Sequence, residues 1–122
     1  MALVLIADDE PVQRMLMAEV LAAHPAITII EVEDGEQALE RVRAERPDIV
    51  ILDVSMPKLD GLQVCRLIKA DPALRAIPVI LVTARPDEAT GREAGCDDYV
   101  VKPYDTAKLE ALVHTLLGLT HE

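Results

Sequence analysis

Ala2–Ala7 is an unbroken run of six apolar residues. A strand with one wet face alternates apolar and polar side chains, so an unbroken run belongs to a strand covered on both faces. The β-branched segment Ile27–Val32, the apolar segments Ile49–Leu52 and Pro78–Val82, and the shorter Asp98–Val101 read as four more strands. Helical signals fall between them. Pro11 opens a segment rich in helix formers, Val12–Ala23, which His24-Pro25 breaks. Asp34-Gly35 starts a helix with Ala38, Leu39 and Val42 on one face. Leu62, Cys65 and Ile68 form the inner stripe of the next helix, after a loop over Met56–Gly61 and before a turn at Asp71-Pro72. Leu109, Leu112, Val113, Leu116 and Leu117 form the stripe of the last helix. Buried strands alternating with helices imply an α/β fold, a doubly wound parallel sheet with helices on both faces. The 122 residues suffice for one domain, 1–122, with no output domain expected after the last helix.

Composition removes several classes of function. The net charge of −10 repels a phosphate backbone, and with no Trp, no Phe and only 2 Tyr there is no platform for stacking bases. Direct nucleic-acid binding is therefore not expected. The longest apolar run is far too short to span a bilayer and lacks a basic lead-in, so neither membrane insertion nor a secretory signal is expected. Cys65 and Cys96 lie far apart, and His24, His114 and His121 sit at no metal-ligand spacing. A reduced, cytoplasmic protein is the expectation.

In a doubly wound sheet, ligands bind at the carboxyl ends of the strands. Asp8 and Asp9 close the first strand, and Asp53 closes the third. Neighbouring strands lie about 4.8 Å apart, so those carboxylates would converge. Such a cluster repels itself, and a hard divalent cation with oxygen ligands compensates it naturally. Singly, each has a plainer role: Asp9 as a helix cap, Asp8 as a solvated strand end, Asp53 as the start of a turn. The fourth strand ends in Thr83-Ala84 and the fifth in Lys102-Pro103, which adds a hydroxyl and an ammonium to the same end.

Four motifs in order carry a family resemblance over the full length. They are Ala7-Asp8-Asp9-Glu10-Pro11, then Ile51-Leu52-Asp53-Val54-Ser55-Met56-Pro57 with Asp60-Gly61, then Val82-Thr83-Ala84, then Asp98-Tyr99-Val100-Val101-Lys102-Pro103. The chain resembles the receiver domain of two-component response regulators. The resemblance implies a five-stranded sheet in the order 2-1-3-4-5. It implies that Asp53 accepts a phosphoryl group from a sensor histidine kinase or phosphotransfer protein. Asp8, Asp9, Asp53 and the backbone carbonyl of Ser55 would hold Mg2+, or Mn2+ in its place. Lys102 would bind a phosphoryl oxygen, Thr83 another, and Tyr99 would change rotamer as Thr83 moves. Ser55 and Arg85 would tune dephosphorylation. The implied role is a signalling switch that slowly resets, not a turnover enzyme, with a downstream protein that the sequence does not name.

The chemistry is consistent with that role. A carboxylate is ionised at neutral pH and needs no general base. The difficulty is bringing an anion to an anionic phosphoryl group, which a metal and Lys102 relieve. Two departures stand out. Lys102 follows Thr83 by 19 positions, where the family typically has roughly three more, about one helical turn. Between Arg85 and Gly95 the only apolar residues are Ala89 and Ala94, so the fourth helix, between the last two strands, is expected to be shortened. The first helix is apolar on more than one face through Met15, Leu16, Met17, Val20 and Leu21; one face serves the core, and the surplus is either a homodimer or partner contact or simply scattered surface apolar residues. A haloacid-dehalogenase-type phosphatase would want an acid two positions after the nucleophile, where Ser55 stands. A phosphate-independent module on the same fold would usually lack Asp53, Thr83 or Lys102, and all three are present.

Overall fold

The computed structural model describes residues 1–84 and 94–119. Five parallel strands form one sheet: β1 (Ala2–Ala7), β2 (Ile27–Val32), β3 (Ile49–Asp53), β4 (Val79–Thr83) and β5 (Asp98–Val101). Their order is β2-β1-β3-β4-β5. Among the described residues four helices pack on the sheet: α1 (Pro11–Ala22), α2 (Gly35–Glu45), α3 (Gly61–Ala70) and α4 (Thr106–Leu117). Arg85, expected to tune dephosphorylation, and most of the stretch Arg85–Gly95 expected to hold the shortened helix fall at 85–93, outside the described residues.

The central strands are apolar throughout because each row of side chains has its own core. Leu5, Val50, Leu52, Val79 and Leu81 meet Ala38 and Val42 of α2 and Val64, Cys65 and Ile68 of α3. Val4, Ile6, Ile49, Ile51, Ile80 and Val82 meet Met17, Ala18 and Leu21 of α1 and Leu109 and Val113 of α4. Burying one such side chain contributes about 1.5–3 kcal/mol, so many modest contributions secure both faces.

Expected and observed boundaries differ by a residue or two, and the difference matters at the site. Asp53 and Thr83 are the last residues of their strands, in register with Val82 and Val101 respectively. Backbone pairing therefore holds both residues. In the last helix, Leu109 and Val113 are buried, but Leu116 of the expected stripe is 36% exposed and His114 is buried instead. The His114 ring meets His24 edge-on, with centroids 5.0 Å apart. The apolar surplus on α1 is present: Val12, Met15 and Leu16 are exposed, while Met17 and Leu21 are buried.

Candidate phosphoacceptor site

Alternation along the strands aims the key side chains to one side. Val4-Ile6-Asp8, Ile49-Ile51-Asp53 and Val100-Lys102 continue the rows that face α1 and α4. β1 pairs with β3 from Val4↔Ile49 to Ala7↔Leu52, so the residues that follow, Asp8 and Asp53, emerge side by side. One carboxylate oxygen each from Asp8, Asp9 and Asp53 lies within 4.8 Å of the others. Asp8 and Asp53 are buried and Asp9 is exposed. All three donors are carboxylate oxygens and Asp9 is exposed to water, which suits a hard cation that keeps part of its hydration shell.

Local hydrogen bonds fix each buried carboxylate. Asp8 Oδ1 accepts the Glu10 N–H at 2.8 Å, and Asp53 Oδ1 accepts the Ser55 N–H at 3.0 Å. Lys102 Nζ donates to Asp53 Oδ2 at 2.8 Å. The Lys102 N–H in turn donates to the Thr83 carbonyl at 2.7 Å, which ties the lysine to the end of β4. Thr83 is half-buried at that end, and Tyr99 is half-buried against the core under α2 and α3. Thr83 and Tyr99 occupy rows on that same face, opposite to the row of Lys102. Ser55 is exposed at the start of the loop after β3.

The helix after that loop has little latitude. A Cβ at Gly61 would overlap the Asp53 carbonyl. Asp60 caps α3 by accepting the Gln63 N–H at 2.8 Å, while Gln63 Oε1 accepts the Asp60 N–H at 3.0 Å. Lys58, at φ 69°, reaches Asp34 at 3.5 Å and Glu36 at 3.8 Å, pinning the loop to the start of α2.

Electrostatics follow the geometry. Burial pushes the Asp8 carboxyl up to about 6; the Glu10 N–H opposes this and the Asp53 charge adds to it. Burial works against the Lys102 ammonium, but the hydrogen bond and charge of Asp53, with Asp8 and Glu10 beyond, outweigh it and raise its pKa. Burial, then the Asp8 charge, raises Tyr104.

Sequence reasoning missed two neighbours. Tyr104 lines a hollow beside the site together with Lys102, Pro103, Met17 and Leu16. Arg14 donates from Nη1 to the Asp8 carbonyl at 2.7 Å. No local signal marked Arg14: a cation near a helix start is mildly unfavourable with the helix dipole but points to no partner.

The response regulator receiver domain family model matches residues 4–114. The chain is 43% identical over 122 residues to the probable transcriptional regulator ycf27 of Guillardia theta, covering 98% of this chain and 46% of that protein. It spans about half the length of the curated relatives it matches. The signal receiver domain of a signal transduction histidine kinase from Syntrophus aciditrophicus superposes with a TM-score of 0.89 at 36% identity, covering 97% of this chain and 91% of that one. The receiver domain of sensor histidine kinase PA1611 from Pseudomonas aeruginosa PAO1, a structure with a magnesium ion in its active site cleft, gives 0.86 at 29% identity, covering 96% and 98%. Fold, strand order and family match thus agree, and the chain belongs to the response regulator receiver domain family.

Proposed function

We propose that residues 1–122 work as one phosphoacceptor receiver domain in the cytoplasm, with Asp53 as the acceptor. The observation that carries this is the Asp53 carboxylate, held 2.8 Å from the Lys102 ammonium and sharing a 4.8 Å cluster with Asp8 and Asp9. No function as a plain structural ion pair needs two further carboxylates there, because they only add repulsion.

A phosphohistidine of a sensor kinase or phosphotransfer protein is the donor. A carboxylate oxygen of Asp53 forms a bond to phosphorus as the phosphorus–nitrogen bond breaks. The donor imidazole leaves with that electron pair and recovers a proton from water, and Asp53 becomes an acyl phosphate. Asp8, Asp9, Asp53 and the Ser55 carbonyl would hold Mg2+, which neutralises charge on the phosphoryl oxygens. Lys102 exchanges its bond to Asp53 for one to a phosphoryl oxygen. The Thr83 hydroxyl donates to another oxygen, and Tyr99, on the same face, follows it. Water attack at phosphorus then releases phosphate and resets the carboxylate, at a rate that Ser55 and Arg85 tune. Ser55 supplies no acid two positions after Asp53, which supports a slow switch over a phosphatase.

Val12, Met15 and Leu16 border this end of the sheet on α1 and offer the donor protein an apolar contact; a second copy of the chain is the competing occupant. With a net charge of −10, this domain signals by protein contact rather than by touching DNA. None of the described helices is long and apolar enough to cross a membrane.

Incubation with acetyl phosphate and Mg2+, read by intact mass, tests the reading. One phosphoryl group should add to the wild type and none to Asp53→Asn or to the wild type in excess chelator. Labelling of Asp53→Asn, or none of the wild type with Mg2+, overturns it.

A further inference from the structure

Arg14 lies on α1, five positions past Asp9, and its side chain is only 16% exposed. The guanidinium is shared by two acceptors. Nη1 donates to the Asp8 carbonyl at 2.7 Å, and Nε donates to Glu31 Oε1 at 3.3 Å. Glu31 stands on β2 in register with Ile6, on the face that α1 covers, and is 41% exposed at its side chain. The planar fork therefore spans from edge strand β2 to the turn after β1.

The atom it grips is informative. The Asp8 carbonyl belongs to the peptide unit that joins Asp8 to Asp9. A peptide unit is planar, so holding its oxygen sets the rotation of the link between the two carboxylate-bearing residues. The Asp8 N–H is already fixed to the Val32 carbonyl at 3.2 Å, and Asp8 Oδ1 to the Glu10 N–H at 2.8 Å. Arg14 adds a further restraint on this turn. Asp9 is exposed, so its place in the cluster depends on the backbone that carries it.

We infer that Arg14, braced by Glu31, is a positioning residue that presents Asp8 and Asp9 to a divalent cation. This role rests on the proposed function and adds a requirement to it. A second reading treats Arg14 as a charge only, and the two readings predict opposite signs. Removing a cation beside an acidic cluster strengthens divalent binding if charge alone matters. It weakens binding if the backbone brace matters, because groups that orient metal ligands are typically worth about 10–100-fold in affinity.

Calorimetric titration of Mg2+ into wild type, Arg14→Gln, Glu31→Gln and the double variant decides between them. Arg14→Gln should bind about tenfold more weakly and Glu31→Gln about threefold, at or below the low end of that range because both act through one carbonyl. In the Arg14→Gln background, Glu31→Gln should cost nothing further, since the brace is already gone. Unchanged or tighter binding by Arg14→Gln, or a Glu31→Gln loss that persists in the double variant, overturns the inference. Should Arg14→Gln fail to fold by circular dichroism, Glu31→Gln and Arg14→Lys carry the test. Arg14→Lys reaches only one acceptor and should weaken binding, and wild-type affinity in both overturns the inference. A wild type that binds no Mg2+ overturns the proposed function instead, so the two failures are distinguishable.

Discussion

Replacing Asp8 by Asn should stabilise the metal-free protein at high pH and leave it unchanged at low pH. Burial pushes the Asp8 carboxyl from 3.8 to about 6, with the Asp53 charge adding to the effect. A folded-state pKa above the unfolded one means that the folded state binds the proton more tightly. The stability from this group is therefore fully present below pH 3.8 and is lost as pH rises through about 6. Raising a pKa by one on the pH scale corresponds to about 1.4 kcal/mol. The rise at Asp8 would thus be worth about 3 kcal/mol in a dry site, and access of water from the open side of the cluster reduces this to about 1–2 kcal/mol. For a chain of this length that is about 5 °C in melting temperature. Asn is nearly isosteric, and its amide oxygen can still accept the Glu10 N–H. The assay is thermal unfolding of both proteins by circular dichroism in chelator, from pH 4 to 8. The gap should open between pH 4 and 6 in favour of Asp8→Asn, and adding Mg2+ at pH 8 should reverse it. A gap independent of pH, or a less stable Asn variant at pH 8, refutes the reasoning.

Gly61→Ala places a methyl group against the Asp53 carbonyl; it should cost about 2 kcal/mol in chemical denaturation and slow phosphoryl uptake by displacing the acceptor. Lys102→Met removes the 2.8 Å partner of Asp53 and should slow uptake from acetyl phosphate by about 100-fold, the scale for one lost charge-stabilising donor, as read by the rate of intact-mass gain. Burial pushes the Cys65 thiol up to about 12 and raises Cys96 in the same direction. Native protein at pH 8 should therefore alkylate slowly at Cys96 and not at Cys65, with both reacting once the chain is unfolded, as peptide mapping would show.

Most of the fold was legible because its signals are local. The unbroken run Ala2–Ala7 demands two covered faces, and the two cores on either side of β1 satisfy it. Asp34 marks a helix start by chemistry that acts within three residues. The acidic cluster was legible because strand ends place Asp8 and Asp53 by register alone. What was not legible depends on tertiary approach. Nothing near Arg14 in the chain says that it folds back on the Asp8 carbonyl and across to Glu31. Tyr104 borders the site because the segment after β5 and α1 line one hollow beside it. His114 is scattered in the sequence, yet it is buried against His24 because the ends of α1 and α4 meet. Leu116 has the right spacing for the inner stripe yet is 36% exposed, while its neighbour Leu117 packs against the core.

Asp8, Asp9 and Asp53 are expected to share one divalent cation, and every step proposed at this site depends on that. Anomalous diffraction from crystals grown with Mn2+ tests it most directly. The expected result is a single strong peak within coordination distance of all three carboxylates, with the Ser55 carbonyl beside it. A peak bound elsewhere, or none at saturating Mn2+, would contradict the claim.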